Sequence, residues 1–315
     1  MKSLLILGGS GFVGRALCEQ LTRQDPGLRL TVPTRRLPHA QGVQSLPGVT
    51  VRQADVFRDL PALLPGHDAV VNLIAILQGS EAAFQQVHAE LPRRLAAAMG
   101  EAGVRRLVHV SALGVGAQAP SRYLRSKAAG EAVLQQAAQA GTLDLTLLRP
   151  SLVVGAGDRS VNLFAQLQRL FPLMPLAGAG ALMQPVWVQD LARGLVQVLL
   201  RPETVGRTYD IAGPRVLTLG ELVKLAGQVA GCARPVLPLP QAIAALQALA
   251  MECLPGEPLL SRDNLASLSV PNVASGQQPG LAELGITPAA LEAVLPLYLA
   301  PGSGPARLDA WRARH

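Results

Sequence analysis

A glycine-rich turn close to the N-terminus constrains the fold of this 315-residue chain most strongly. The apolar run at residues 3–7 breaks into glycines, and apolar residues then recur at helical spacing. This pattern predicts a buried strand, a tight turn and a helix. The first glycines permit a turn that a Cβ would block, the next lets the backbone approach a pyrophosphate, and the last lets the helix pack on the strand. We expect a dinucleotide to bind here, at the helix N-terminus, in contact with Gly8, Gly9, Ser10, Gly11, Phe12, Val13 and Gly14.

The charge pattern argues against a nucleic-acid partner. The net charge is +7 and the isoelectric point about 10.0, but the basic residues are scattered and do not alternate with aromatic side chains. The phosphates of a cofactor and an anionic membrane surface are both compatible with this balance.

The cysteines and the N-terminus predict the compartment. The 3 cysteines are far apart and form neither a metal motif nor a disulfide framework, which favours a reducing compartment. The first strand begins too early for a cleavable signal peptide, and no apolar stretch is unbroken enough to cross a bilayer. We therefore expect a cytoplasmic protein without a metal site, with peripheral contact to the inner membrane as an open alternative.

The second predicted strand, at residues 29–33, ends in Thr34, Arg35 and Arg36. In the NAD version of a dinucleotide fold, an acidic side chain near this point holds the ribose 2′-hydroxyl. Two arginines replace the acid here, and guanidinium groups suit a 2′-phosphate. The pair predicts NADP(H) rather than NAD(H), the alternative being a solvated basic loop.

Apolar runs alternate with helical segments over the first half of the chain, which is typical of a parallel sheet covered on both faces. The further predicted strands occupy residues 49–53, 69–73, 107–111 and 143–148. The fold class is therefore α/β, a Rossmann-type doubly wound parallel sheet with a small α+β C-terminal lobe. The predicted domains are 1–155 for the nucleotide, 156–300 for a smaller substrate or partner lobe interleaved with it, and 301–315 for a mobile tail.

Tyr123 and Lys127 lie four residues apart on the helix predicted after the fifth strand, and hence on one face of it. A nearby ammonium favours the phenolate and lowers the pKa of a tyrosine. Such a phenol can exchange a proton with a carbonyl or alcohol while a nicotinamide exchanges hydride. The alternative is an ordinary exposed pair.

Together with the glycine turn, the segments 72–75, 110–111 and 149–151 and the Tyr123–Lys127 pair resemble an extended or atypical short-chain dehydrogenase/reductase. Longer segments resemble one branch of that family, the nucleotide-binding accessory subunit of respiratory complex I (NADH:ubiquinone oxidoreductase) and its bacterial relatives. These segments are 121–131, 184–190, 261–264 and 279–286. They keep their order over nearly the whole chain.

The resemblance implies a set of site residues. Those implied to hold NADP(H), besides the glycine turn, are Arg35, Arg36, Asp55, Val56, Asn72, Leu73, Ile74, Ala75, Val110, Ser111, Tyr123, Lys127, Pro150, Ser151, Leu152 and Val153. The implied catalytic residues are Tyr123, Lys127 and Ser111. The chain also departs from active members of the family. The position of their catalytic hydroxyl falls on Ala112, and His88 stands where they often carry a structural asparagine.

Three functions fit these residues. The first is an oxidoreductase acting on a small apolar carbonyl or alcohol, quinone- or isoprenoid-like, weakened or specialised by Ala112. The second is a non-catalytic NADPH-binding accessory or assembly subunit that docks on a protein of a respiratory membrane complex. The third is a sugar-nucleotide epimerase or dehydratase, which would need a polar lobe. The segment 240–251 is instead apolar and uncharged. We expect it to form a helix that is buried in the core, lines an apolar channel, or lies against a membrane or partner.

Overall fold

The computed structural model describes residues 1–252 and 260–301. Its strands are β1 (Ser3–Leu7), β2 (Arg29–Thr34), β3 (Val49–Gln53), β4 (Ala69–Asn72), β5 (Arg106–Val110), β6 (Asp144–Pro150), β7 (Val153–Val154), β8 (Met174–Leu176), β9 (Leu182–Met183), β10 (Val186–Trp187), β11 (Thr208–Ile211), β12 (Leu217–Thr218) and β13 (Val236–Pro238). Its α-helices are α1 (Phe12–Gln24), α2 (Gln41–Gln44), α3 (Val56–Leu63), α4 (Glu81–Gln85), α5 (Leu91–Glu101), α6 (Arg122–Gln139), α7 (Val161–Leu170), α8 (Val188–Leu200), α9 (Leu219–Val229), α10 (Gln241–Glu252), α11 (Arg262–Leu268), α12 (Leu291–Val294) and α13 (Pro296–Leu299). A π-helical turn, Gln86–Glu90, connects α4 to α5, and 3₁₀ turns cover Leu37–Ala40 and Pro202–Thr204.

The chain divides into two compact units. Unit 1 comprises Met1–Pro150, Gln189–Ile211 and Ser275–Ile286. Unit 2 comprises the described residues of Ser151–Val188, Ala212–Ala274 and Thr287–His315. The predicted domain limits stay predictions, and the predicted mobile tail lies, apart from Pro301, outside the described residues.

Unit 1 is built on a seven-stranded sheet in the order β11-β6-β5-β4-β1-β2-β3, and every pair in it is parallel. All residues of β1 and β4 are buried, as expected for parallel strands covered by helices on both faces. Aliphatic side chains of β1, β4, β5 and β6 form one core with α3, α5 and α6. The predicted Rossmann-type doubly wound sheet is confirmed.

The strand order reverses between β1 and β4, so the connections that leave these two neighbouring strands diverge. In doubly wound sheets a ligand binds in the crevice that this divergence opens at the carboxyl ends of the strands. The glycine turn follows β1, and residues 73–75 follow β4. Both predicted segments therefore lie at this edge of the sheet.

Unit 2 combines short strands with helices. It contains the pairs β10-β7, β12-β9 and β13-β8. Its core is a separate cluster of buried aliphatic side chains contributed mainly by α7, α9 and the segments at α12 and α13. Among the described residues, no helix is both long and apolar enough to cross a membrane.

Candidate functional site

The glycine turn has the close packing that its spacing predicts. Gly8 adopts φ +81°, where side chains are strained. A Cβ on Gly14 would lie 2.4 Å from the Gly8 carbonyl oxygen, so α1 can approach β1 only because this residue is glycine. A Cβ on Gly11 would meet one protein atom within 4 Å, the Gly8 oxygen at 3.1 Å. This distance to a backbone atom is tight, so the turn itself favours glycine at position 11. Apart from its chain neighbours, no other atom of the described residues lies within 4 Å of the added Cβ, so the backbone here is otherwise open.

Helix α1 begins at Phe12, and its N-cap Gly11 supplies no side-chain hydrogen bond. The first N–H groups of a helix have no partner within the helix and carry the positive end of its dipole. A glycine N-cap therefore leaves these donors available to an anion at the crevice.

The two predicted arginines lie beside an open cavity of about 500 Å³ at the carboxyl ends of β2 and β3. Its lining consists of Arg35, Arg36, Leu37, Pro38, His39 and Gln53. Both arginines are exposed, and neither forms an ion pair with a carboxylate of the described residues. The structure adds His39 and Gln53 to this cluster, which the sequence analysis missed because neither belongs to a recognisable motif.

Asp55 and Asn72, predicted to face the nucleotide, are both engaged in local structure. Asp55 caps α3 by accepting a hydrogen bond from the Phe57 N–H at 3.0 Å. The Asn72 amide nitrogen lies 3.1 Å from Nδ1 of His109, its cross-strand partner, and its oxygen accepts from the Ile74 N–H at 3.2 Å. Asn72 is 1% exposed. It therefore shapes the turn after β4, where the Leu73 and Ile74 N–H groups are bound within the protein, and Leu73, Ile74 and Ala75 can offer backbone carbonyl oxygens to a ligand.

Lys127 is 1% exposed, and its Nζ donates a hydrogen bond to the Val110 carbonyl oxygen at 2.7 Å. This contact ties α6 to the end of β5, immediately before Ser111. Burial lowers the pKa of Lys127 to about 8, and the Glu131 carboxylate one turn further along α6 opposes that shift.

Tyr123 lies one turn before Lys127 in α6, whose N-cap Ser121 accepts a hydrogen bond from the Leu124 N–H. Burial raises the pKa of Tyr123 to about 12. The lowering expected from the neighbouring ammonium is therefore wrong for this structure, because loss of hydration on burial sets the direction of the pKa shift. The phenol keeps its proton near neutral pH.

The rings of Phe84 and His88 pack against Tyr123. The His88 and Tyr123 centroids are 5.4 Å apart in an edge-on arrangement, and those of Phe84 and Tyr123 are 6.2 Å apart. A chain of hydrogen bonds fixes His88. The Ile76 N–H donates to Nε2 at 3.1 Å, which assigns the ring proton to Nδ1, and Nδ1 donates to Ser126 Oγ at 2.8 Å. Ser126 in turn donates to the Tyr123 carbonyl oxygen at 2.8 Å.

His88 is neutral, because burial and then the positive charge of Lys127 lower its pKa to about 3. It lies in the π-helical turn, which packs closely on α6 at Gly130. A Cβ on Gly130 would lie 1.9 Å from the His88 carbonyl oxygen. The sequence identified His88 only as a departure from a pattern, since nothing in residue spacing shows a π-helical turn.

Ser111 follows β5 and is 4% exposed. Its backbone N–H donates to the Leu148 carbonyl oxygen, but its Oγ has no hydrogen-bond partner among the described residues. A buried hydroxyl without a partner is costly, so such a group is expected to meet a ligand or water. The next residue, Ala112, is also buried and offers no hydroxyl.

An ion pair lies one helical turn beyond Lys127 on α6. The Arg149 guanidinium on β6 donates two hydrogen bonds to the Glu131 carboxylate on α6, at 3.0 and 2.5 Å. Glu131 is 3% exposed, and Asp210 on β11 adds a second negative charge that helps to raise the pKa of Arg149. This network fixes the register of α6 against the sheet.

The remaining predicted cofactor-binding residues belong partly to unit 1 and partly to unit 2. Val56 begins α3, and Pro150 ends β6 in unit 1. Ser151, Leu152 and Val153 begin unit 2, where Ser151 Oγ donates to the Asn272 carbonyl oxygen at 2.9 Å. Among the described residues, no group of three or more His, Cys, Asp or Glu side chains is arranged to hold a metal ion.

Comparisons with known proteins agree with this architecture. The mouse mitochondrial protein "NADH dehydrogenase [ubiquinone] 1 alpha subcomplex subunit 9" is 30% identical over 297 residues, covering 91% of this chain and 77% of its own length. A ceramide reductase of Caulobacter vibrioides is 28% identical over 200 residues, covering 62% of this chain and 61% of its own. The Thermus thermophilus UDP-glucose 4-epimerase, solved in complex with NAD, superimposes with a TM-score of 0.69 at 21% identity, covering 94% of this chain and 97% of its own.

The family described as "NAD dependent epimerase/dehydratase family" matches residues 4–212, which include the glycine turn, Ser111 and the Tyr123–Lys127 pair. On this match, the chain belongs to the NAD dependent epimerase/dehydratase family.

Proposed function

We propose that this protein binds NADP(H) and acts as a specialised oxidoreductase on an apolar carbonyl or alcohol. The observation that carries the proposal is the buried Ser111 hydroxyl without a partner, next to the strand end that Lys127 holds. A site kept only as a structural remnant gives no reason to bury that hydroxyl. The open face of Gly11 and the arginine-lined cavity also fit a phosphorylated dinucleotide.

The chain's own residues suit the reductive direction. A bound nicotinamide supplies the hydride. Tyr123, with its pKa raised to about 12, holds a proton that it can donate to a carbonyl oxygen. Lys127 orders the end of β5, so that Ser111 faces the reacting group. Ala112 removes one donor to a developing oxyanion, a loss worth roughly 3–4 kcal/mol of transition-state stabilisation where it is measured, which favours a slow or specialised enzyme.

The cofactor preference is tested by titrating the full chain with NADPH and with NADH. We expect tighter binding of NADPH, because Arg35 and Arg36 stand in place of the acid that binds a 2′-hydroxyl. Replacing both by alanine should weaken NADPH by about tenfold to a hundredfold and leave NADH nearly unchanged. Arg23→Ala with Arg93→Ala removes two exposed arginines elsewhere and serves as the control. Equal affinities for the two nucleotides would contradict the preference.

Turnover is tested with apolar ketones and quinones in the presence of NADPH. Tyr123→Phe should abolish turnover while NADPH binding stays within about twofold, because the phenol donates the proton and holds no part of the cavity beside Arg35. Ala112→Ser should raise the rate. Unchanged turnover in Tyr123→Phe would remove the phenol from the reaction.

A second function is that of an accessory subunit that binds NADPH without turnover and docks on a respiratory membrane complex. Ala112 favours it, and so does the similarity to a mitochondrial NADH dehydrogenase subunit. A location peripheral to the inner membrane is its consequence. The two functions separate in the same assay, since this one predicts NADPH binding with no oxidation of NADPH. An epimerase or dehydratase would instead bind UDP-sugars, and the uncharged segment 235–251 offers such a polar ligand little.

A further inference from the structure

Helix α10 in unit 2 buries its small side chains and exposes its large apolar ones. Its small residues Ala244 and Ala248 are 3% and 0% exposed, whereas Ile243, Leu246 and Leu249 are 53%, 67% and 43% exposed. A helix that packs only to form a core buries its large apolar side chains instead. The inner side also carries Gln247, whose Oε1 is buried without a partner among the described residues. The large apolar side chains of α10 therefore face away from unit 2.

A second apolar stretch continues this surface. Leu170, Phe171 and Leu173, at the end of α7, are 75%, 54% and 46% exposed, and Leu237 on β13 is 47% exposed. Strand β8 pairs with β13 in parallel, and Leu173 directly precedes β8, so it lies close to the strand that carries Leu237. Helix α10 follows β13 directly. We call the seven side chains the apolar face: Leu170, Phe171, Leu173, Leu237, Ile243, Leu246 and Leu249.

The charges that border the apolar face on the side of α7 and β13 are basic. Residues 170–189 and 235–251 contain no charged side chain, and each stretch is preceded by an arginine, Arg169 and Arg234. The Arg234 Nε donates to the Gln168 carbonyl oxygen at 3.1 Å, so both arginines stand at one border of the face, and both are exposed. The acid that ends α10, Glu252, is paired with Arg262 at 2.9 Å. An uncharged apolar surface with a basic border matches the interface of an anionic lipid leaflet.

We propose that the apolar face is a peripheral docking surface for an anionic lipid bilayer, with Arg169 and Arg234 contacting headgroup phosphates. Helix α10 spans 12 residues, about 18 Å, so it lies along the interface instead of crossing it. The proposal extends the membrane-side role considered above, but it rests on unit 2 alone and requires no nucleotide.

The test is co-sedimentation of the full chain with phosphatidylcholine vesicles, with and without phosphatidylglycerol, at low and high salt. Ile243→Glu with Leu246→Glu should weaken binding at least about tenfold, since two buried contacts with acyl chains become charged. Leu200→Glu with Val205→Glu adds the same charges to exposed side chains of unit 1 and should bind as the wild type does. Arg169→Gln with Arg234→Gln should weaken binding about fivefold per arginine on anionic vesicles only.

Several outcomes would overturn the proposal. The wild type could stay in the supernatant under all conditions, or both glutamate pairs could weaken binding equally. Light scattering could instead show that Ile243→Glu with Leu246→Glu converts a dimer to a monomer, which would assign the face to a second copy of this chain. Circular dichroism checks the fold of each variant. If the double variant unfolds, Leu246→Gln, at the most exposed of the large apolar side chains of α10, replaces it, and normal vesicle binding by that variant counts against the proposal. NADPH titration of the same samples keeps this result separate from the nucleotide site.

Discussion

At the scale of single residues, the environment of Tyr123 differs from the one that its spacing from Lys127 predicts. Lys127 binds the Val110 carbonyl oxygen, while Phe84 and His88 pack on the phenol ring. His88 also joins the turn after β4 to α6 through the Ile76 N–H and Ser126. It is therefore a positioning residue for Tyr123, held neutral by burial.

We predict that His88→Ala lowers the free energy of unfolding by roughly 2–4 kcal/mol at neutral pH, because the Ile76 N–H loses its acceptor, the Ser126 hydroxyl loses one of its two partners, and a buried ring is removed. The pKa of His88 is lowered from 6.5 to about 3, so the unfolded chain binds more protons between these values. The wild type then loses stability relative to the variant as the pH falls from about 6.5 to about 3. Urea unfolding across this range measures the difference, with the exposed His39→Ala as control. If the difference in the free energy of unfolding between wild type and variant does not change with pH, His88 is not buried in its neutral form.

Glu131→Gln tests the charge balance around Lys127. The Glu131 carboxylate raises the pKa of Lys127 against the effect of burial, so its removal should move that pKa further below about 8. NMR titration of ¹³C-labelled lysine follows the change, and the exposed Glu101→Gln should leave it alone. If the pKa of Lys127 does not change, the Glu131 carboxylate acts on Arg149 and not on Lys127.

At the scale of elements, the sequence was sufficient for the parts in which local pattern and tertiary structure agree. The apolar runs predicted β1 to β6 within a residue or two, most clearly β1 and β4, since strands buried on both faces leave a continuous apolar signal. The π-helical turn had no such signal, because it depends on the contact between His88 and Gly130. Helix α10 was predicted, but its outward face was not, since a helix without charged residues gives no pattern to say which side is buried.

Among the site residues, the glycines, arginines and the Tyr123–Lys127 pair were recognisable because their spacing is local. The residues that form hydrogen bonds and ion pairs around them could not be recognised in the sequence. His88 and Ser126 are 38 residues apart, and Glu131 and Arg149 are 18 apart. Only the packing of α6 on β5, β6 and the π-helical turn brings these pairs together.

Gly130→Ala should separate α6 from the π-helical turn, because the added Cβ meets the backbone oxygen of His88 at 1.9 Å. We expect a loss of roughly 1–3 kcal/mol or more in the free energy of unfolding, as in other overpacked sites. Gly100→Ala, in α5 with nothing within 4 Å of the new Cβ, is the matched control and should stabilise by roughly 0.5–1 kcal/mol. Equal effects at the two positions in thermal unfolding would argue against a tight contact at Gly130.

At the scale of the whole molecule, unit 1 is completed by two segments that follow parts of unit 2 in the chain, Gln189–Ile211 and Ser275–Ile286. Strand β11 pairs with β6 through Thr208–Ile211, and the Asp210 N–H on that strand donates to the Pro279 carbonyl oxygen at 2.9 Å. Asp210 also accepts hydrogen bonds from the Ser275 N–H and hydroxyl. The charge network behind Lys127 is therefore complete only with these later segments.

We predict that residues 1–155 expressed alone do not form a stable nucleotide-binding protein. Without β11, strand β6 keeps an unpaired edge, and its largely buried, aliphatic-rich sequence makes that edge prone to aggregate. Size-exclusion chromatography and NADPH titration of this fragment, beside the full chain, provide the measurement. A monomeric fragment with full NADPH affinity would show that the later segments are dispensable.

The return of the chain to the sheet also sets the order of events during synthesis on the ribosome. The glycine turn and the first six strands emerge early. However, β6 can pair with β11 only after Thr208–Ile211 has been made, and Asp210 can bind Ser275 only later still. The nascent chain must therefore carry an open edge at β6 while residues 151–207 are translated, and Asp210 lacks its Ser275 partner until residues 212–274 have followed. A nonsense mutation before residue 208 leaves that edge permanently open, so truncations up to this point should behave in the cell as complete losses of the protein.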